Sequence, residues 1–354
     1  MSRLFSPFTL RGVEFKNRVF VSPMCQYSSE DGLPTNWHLV HLGSRAVGGA
    51  GLILVEATAV SPEGRISPAD SGLWSAKHDV AFRPLVEFIK KQGCVPGIQI
   101  AHAGRKASTA APWEGHGPVA HEHGGWTPIA PSALPFDEKS VAPKELLREE
   151  LAGQVEHWVR AARLAADAGF QVLELHFAHG YLVHSFLSPL SNRRTDEYGG
   201  SLDNRMRLAL EIAGAVRKAW PERLPLFARL SCTDWVEGGW ALPDAVELAK
   251  RLKALGVDLI DCSSGGAVPK ARVPVGPGYQ VPFAEAIRKQ AGMPTAAVGM
   301  ITQPVQAETI VASGQADAVF LARELLRDPY WPLHAAKVLG VDVPWPKQYE
   351  RAKD

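Results

Sequence analysis

A chain of 354 residues with 46% hydrophobic and 21% charged side chains can bury one large core or two ordinary ones. Its formal net charge of +1 excludes the basic excess of a nucleic-acid binder, and its apolar content excludes a disordered chain. The four cysteines, Cys25, Cys94, Cys232 and Cys262, form no C-x-x-C pair, which argues against a disulfide framework or a thiolate zinc site and fits a reducing compartment.

The N-terminal MSRLFSPFTLRG lacks the apolar core of a signal peptide, and no stretch approaches the ~20 apolar residues of a membrane span. A cytoplasmic protein without a membrane or nucleic-acid partner is expected. Short apolar runs then recur at 19–23, 52–56, 96–100, 171–175, 225–230, 257–262, 294–298 and 317–321. Gly51, Gly93, Gly169, Gly256 and Gly314 precede five of them, as a residue that closes a helix before a strand would. Runs without alternation read as strands buried on both faces.

Helices fill the intervals. Over 201–220, Leu202, Met206, Ala209, Ala213, Val216 and Trp220 advance by four and three, and 243–255 opens on Pro243 and turns Leu248, Leu252 and Leu255 inward. Eight strands alternating with helices predict a (β/α)8 barrel spanning 1–354, since neither a Gly-rich dinucleotide fingerprint nor a phosphate loop supports an open sheet. The long connection from strand three to strand four, residues 103–143, is expected to cap the barrel mouth. Its His116, His121 and His123 lack carboxylate or cysteine partners at ligand spacing, so a solvated loop is expected there and no metal.

Chemistry in such a barrel sits at the C-terminal strand ends. Here they carry Ser22-Pro23-Met24-Cys25, Glu56-Ala57, Gln99 with His102, His176 with His179, Arg229, Ser263-Ser264-Gly265-Gly266, Gly299-Met300 and Ala322-Arg323. The last two are placed to hold a phosphate. Gln99 and Arg229 suit a flat heteroaromatic ring such as a flavin, with Arg229 stabilising charge on the reduced form. The stretch 172–181, VLELHFAHGY, runs from a strand directly into His176, His179 and Tyr181, three groups able to donate or exchange protons.

The motifs PMCQY (23–27), VEATAV (55–60), GIQIAHAGRK (97–106), ELHFAHGYL (174–182), NRRTDEYGGSLDNR (192–205) and ARELLRDP (322–329) resemble the Old Yellow Enzyme family of FMN-dependent ene-reductases. Within it they are most similar to the bacterial subclass with a cysteine after the first strand, which includes xenobiotic reductases. The resemblance implies FMN contacts from Ser22, Pro23, Met24, Cys25, Ala57, Gln99, Arg229, Gly299, Met300, Ala322 and Arg323, and reduction by NADPH or NADH. It implies that His176 and His179 hold a substrate carbonyl oxygen, that Tyr181 donates a proton and that Tyr27 touches substrate. Cys25 would tune flavin potential and substrate binding.

The substrate implied is a small activated alkene, with nitro compounds or nitrate esters as further candidates. The tail PKQYERAKD resembles one whose Arg, here Arg351, reaches a neighbouring subunit's site, which implies a homodimer or homotetramer. Where the family usually carries Gly-Arg after strand eight, this chain has Ala322-Arg323. The alternative from the residues alone is a metal-dependent barrel hydrolase or phosphate-ligand isomerase using His176 and His179 as ligands.

Overall fold

The computed structural model describes residues 2–115 and 117–353. The eight expected runs form β1 (Val19–Val21), β2 (Leu52–Ala59), β3 (Val95–Ala101), β4 (Val172–Phe177), β5 (Leu226–Ser231), β6 (Leu259–Ser263), β7 (Thr295–Val298) and β8 (Ala318–Leu321). Every residue in them is buried, because one face fills the barrel and the other meets helices. All pair in parallel, and β8 closes onto β1 with Phe320 opposite Phe20.

The surrounding helices are α1 (Asn36–Val47), α2 (Ala76–Lys91), α3 (Leu151–Ala168), α4 (Leu182–Leu187), α5 (Leu202–Ala219), α6 (Leu242–Ala254), α7 (Val281–Ala291), α8 (Pro304–Ala312), α9 (Arg323–Arg327) and α10 (Trp331–Val338). The expected helix over 201–220 is α5, which buries Met206, Ala209, Ala213 and Val216. The helix expected over 243–255 is α6, with one correction. It ends at Ala254, so Leu255 falls outside the apolar stripe and is 37% exposed instead of facing inward.

The sequence reading did not anticipate an antiparallel hairpin, Phe8–Leu10 with Val13–Phe15, ahead of the barrel. It closes the N-terminal end: Phe15 is fully buried, with its ring 5.0 Å from Phe20 and 6.4 Å from Phe227. The barrel interior therefore starts with an aromatic layer, and polar groups begin only higher up.

Segment 103–143 is tied to loops at the opposite end. Thr109 N donates to Ile66 O at 2.8 Å and Trp126 Nε1 to Glu63 O at 2.8 Å, both in the loop after β2, while Arg105 Nη2 donates to Ala267 O beyond β6. The Arg65 guanidinium lies between Trp74 and Trp126, 5.5 and 5.0 Å from their ring centres, and clamps the segment by cation–π contact. His121 and His123 stand exposed on a single turn, and His116 lies outside the described residues.

Candidate active site

Strand β4 delivers the central residues. Its last turns bring the His176 and His179 rings to 5.0 Å and the His176 and Tyr181 rings to 4.9 Å, each pair edge to face. The chain reaches this arrangement through two successive left-handed residues, His179 at φ 62° and Gly180 at φ 73°. A side chain at Gly180 would put a carbon 2.1 Å from Gly266 O, so the β4 and β6 loops touch backbone to backbone. Tyr27 and Met300 also hold positive φ, at 49° and 50°. Three non-glycine residues in such a region around one mouth mark conformations that the surrounding contacts impose.

Hydrogen bonding sets the His176 tautomer and ties the His179 ring to a serine. Ala178 N donates to His176 Nδ1 at 3.2 Å, which leaves the hydrogen on Nε2, and His179 Nε2 lies 2.7 Å from Ser263 Oγ. Neither His176 Nε2 nor His179 Nδ1 has a protein partner among the described residues. Burial holds both rings well below the usual histidine range, followed by the charge of Arg229 for His176 and by His176 for His179. Both rings are thus neutral, and His176 offers an N–H at Nε2.

Tyr181 is a neutral phenol at this site: burial pushes it well above the ordinary tyrosine value, with Cys25, Tyr27 and Asp70 adding to the shift. Lys106 lies beneath it, 5.2 Å from the ring centre, donating to His179 O at 2.9 Å and Gly266 O at 3.3 Å. Burial, then Arg105, pushes this ammonium down to about 8. Across the mouth, Cys25 and Tyr27 pack with Tyr181 on Ile66, Ala103 and Ala107. Burial raises Cys25 well above its ordinary value, with Asp70 and Glu56 contributing, so it stands as a thiol. Glu56 Oε2 accepts from Gln26 N at 2.8 Å and anchors the loop between these two side chains.

Below the mouth lies a polar layer. Gln99 Nε2 donates to Glu174 Oε1 at 2.8 Å, Arg229 Nε meets Asp261 Oδ2 at 2.7 Å, and Arg229 Nη2 donates to Ser22 Oγ at 2.8 Å. Asp261 thus compensates the Arg229 cation, whose Nη1 has no protein partner among the described residues. Burial, then Asp261, raises Glu174 well above the carboxylate range, so Glu174 is the neutral acid of the layer.

The β7 and β8 ends complete the rim. Gly299 has φ 118°, and a Cβ there would lie 2.7 Å from Gln280 Nε2. Ala322, the residue just before α9, takes φ −107° and ψ −99°. Arg323 is exposed as the first residue of α9. Ser22, Pro23, Met24, Cys25, Ala57, Gln99 and Arg229 all lie at C-terminal strand ends around the same opening.

Arg351 is not brought there by this chain. It is exposed on the turn Lys347–Ala352, just past a cavity of about 780 Å³ whose walls include Phe5, Lys16, Lys91 and Trp345, at the end where α1 and α2 finish. A smaller cavity of about 520 Å³ adjoins the mouth, between Tyr27, Pro68, Trp113 and Val119. That smaller one, and not the larger, meets the chemistry. The sequence reading named no role for Lys106, Ser263, His184 or Asp234, although Lys106 lies within GIQIAHAGRK and Ser263 ends β6.

Residues 3–341 match the model of the NADH:flavin oxidoreductase / NADH oxidase family. The chain is 52% identical over 350 residues to an NADPH dehydrogenase of Geobacillus sp. (strain WCH70), covering 98% of each chain. Among solved structures it is similar to a 2-naphthoyl-CoA reductase, with TM-score 0.87 and 27% identity over 96% of this chain and 52% of that one, so it spans about half of that reductase. It is also similar to morphinone reductase in complex with tetrahydroNAD, with TM-score 0.79 and 27% identity, covering 97% of this chain and 92% of that one.

Proposed function

The chain belongs to the NADH:flavin oxidoreductase / NADH oxidase family, and from that premise we propose that it reduces activated alkenes, passing hydride from NAD(P)H through FMN to α,β-unsaturated carbonyl compounds. It is an FMN-dependent NAD(P)H oxidoreductase; the alkene substrate is the step proposed here. The observation that carries it is the pair of unpaired imidazole nitrogens of His176 and His179, rings 5.0 Å apart, beside the Tyr181 phenol.

Bound FMN supplies the hydride. The chain supplies the rest: His176 Nε2–H and His179 Nδ1–H donate to a carbonyl oxygen and hold the negative charge that grows there, while the Tyr181 hydroxyl protonates the α carbon. Both rings stay neutral because their burial disfavours the cation, so they act as hydrogen-bond donors. Ser22, Pro23, Met24, Cys25, Ala57, Gln99 and Arg229 would hold the ring system, and Gly299, Met300, Ala322 and Arg323 the phosphate end. Arg229 Nη1, which has no protein partner among the described residues, fits an acceptor on the ring edge.

Tyr27 and Trp113, T-shaped at 5.7 Å, would receive the substrate's apolar substituent, with segment 103–143 as the cap. Nitro compounds and nitrate esters present oxygens of the same type to the imidazole pair and are further candidate substrates. A homodimer or homotetramer would let Arg351 reach a partner's mouth. No helix among the described residues is long and apolar enough to cross a membrane, and we place the protein in the cytoplasm.

Anaerobic titration of the holoenzyme with NADPH, then with 2-cyclohexenone, tests the reading. Bleaching by the first and recovery of flavin colour with formation of cyclohexanone by the second is the expected result. Reduced flavin that no enone or nitro compound reoxidises would reject it.

A further inference from the structure

In the turn that aims His179 and Tyr181, His179 N donates to Ser231 Oγ and Tyr181 N to Ala178 O, while the Gly180 N–H between them is held by an imidazole. Gly180 N donates to His184 Nδ1 at 2.8 Å, from the first turn of α4. That bond requires a bare lone pair on Nδ1, so the ring hydrogen must be on Nε2. Nε2 in turn faces Asp234 Oδ1 at 3.0 Å. The approach is off-axis for a full hydrogen bond, yet two lone pairs do not rest at that distance, and a hydrogen lies between them.

Asp234 is itself held in one orientation. Its Oδ2 accepts from Ser188 Oγ at 2.6 Å and from Trp240 N at 2.8 Å, so only Oδ1 can face the imidazole. His184, Ser188 and Asp234 are fully buried, so no bulk water substitutes for any of these contacts. Burial raises the Asp234 carboxyl, but its contact and charge interaction with His184 and the bonds from Ser188 and Trp240 outweigh that and hold it below the ordinary range.

We propose that Asp234 and His184 form a positioning dyad, in which the carboxylate selects the imidazole tautomer that accepts Gly180 N–H and so aims His179 and Tyr181 at the substrate. The chain of contacts is Asp234 Oδ1, His184 Nε2–H, His184 Nδ1, Gly180 N–H. Both residues are fully buried, which assigns them a positioning role. The consequence for ligand binding rests on the reading of His176 and His179 as an oxygen grip, whereas the tautomer does not.

Asp234→Asn is the informative variant. Ser188 Oγ–H and Trp240 N–H demand an oxygen, which turns the new amide N–H₂ toward His184 Nε2 and forces its hydrogen to Nδ1. Two donors then face each other at Gly180. In ¹⁵N-histidine NMR of the FMN-loaded protein, with the His184 signals assigned by their loss in His184→Asn, wild type should show the Nε2–H tautomer and Asp234→Asn the Nδ1–H tautomer. The variant should bind 4-nitrophenol about tenfold more weakly, read from the change in flavin absorbance, while retaining FMN.

In His184→Asn the amide oxygen accepts from Gly180 without a tautomer to choose, so adding Asp234→Asn should cost no further affinity. A wild-type His184 carrying its hydrogen on Nδ1, an unchanged tautomer or affinity in Asp234→Asn, or equal losses in both backgrounds would each overturn the dyad. Should Asp234→Asn fail to fold, the wild-type tautomer still decides. Failure of 4-nitrophenol to bind wild type at all would reject the oxygen grip and leave the tautomer result standing.

Discussion

Arg229 Nε and Asp261 Oδ2 meet at 2.7 Å inside the barrel, so the guanidinium at the floor of the mouth is already compensated from below. Asp261→Asn removes that counterion from the cation that is proposed to face bound FMN. The midpoint potential of bound FMN should rise, measured by dye-coupled reductive titration, because the extra positive charge favours the reduced anion. Removing one partner of a buried pair should also lower stability by roughly 3 kcal/mol in urea unfolding.

Tyr181→Phe removes the proton and keeps the ring. Its packing against His176 at 4.9 Å is unchanged, so FMN reduction by NADPH should stay within about twofold in stopped-flow traces. Reoxidation by an enone should slow by about 100-fold or more, the usual worth of a positioned general acid. Equal slowing of both half-reactions would deny Tyr181 its role.

Acid should destabilise the fold through its buried imidazoles. His102 is pushed down to about 4, and His41 to about 3, both chiefly by burial; His176 and His179 move in the same direction. The unfolded chain therefore binds more protons below the ordinary histidine value, and stability present above about pH 6.5 is lost as pH falls toward 4. For His102 alone the loss is on the order of 3 kcal/mol. Urea midpoints at pH 7.5 and 5.5 should differ in that sense, and His102→Asn should reduce the difference.

Phe15 tests whether the hairpin plug is separate from the chemistry. Truncating this fully buried ring opens a cavity between Phe20 and Phe227, and Phe15→Ala should lose about 3–5 kcal/mol in chemical denaturation. The 4-nitrophenol affinity of the folded fraction should not change, because the polar layer of Gln99, Glu174, Arg229 and Asp261 separates the plug from the mouth.

Several features were legible in the chain alone because they follow from local rules. Buried parallel strands lose alternation and helices keep a 3.6-residue stripe, so the eight runs and α5 could be read directly, along with the polar residues that end each strand. His176, His179 and Tyr181 lie within six residues of one strand end, close enough for sequence to place them together.

Tertiary structure decided the rest, because burial and partners are set by elements distant in sequence. Asp261 joins Arg229 across 32 positions and Asp234 joins His184 across 50, separations that no local pattern encodes. Lys106 becomes a depressed ammonium only where β4 and β6 loops close over it, and Leu255 leaves the core only because α6 stops one residue earlier. The sequence determined which groups stand at the barrel mouth; three-dimensional packing determined their protons and charges, since those depend on what water is excluded and which neighbour replaces it.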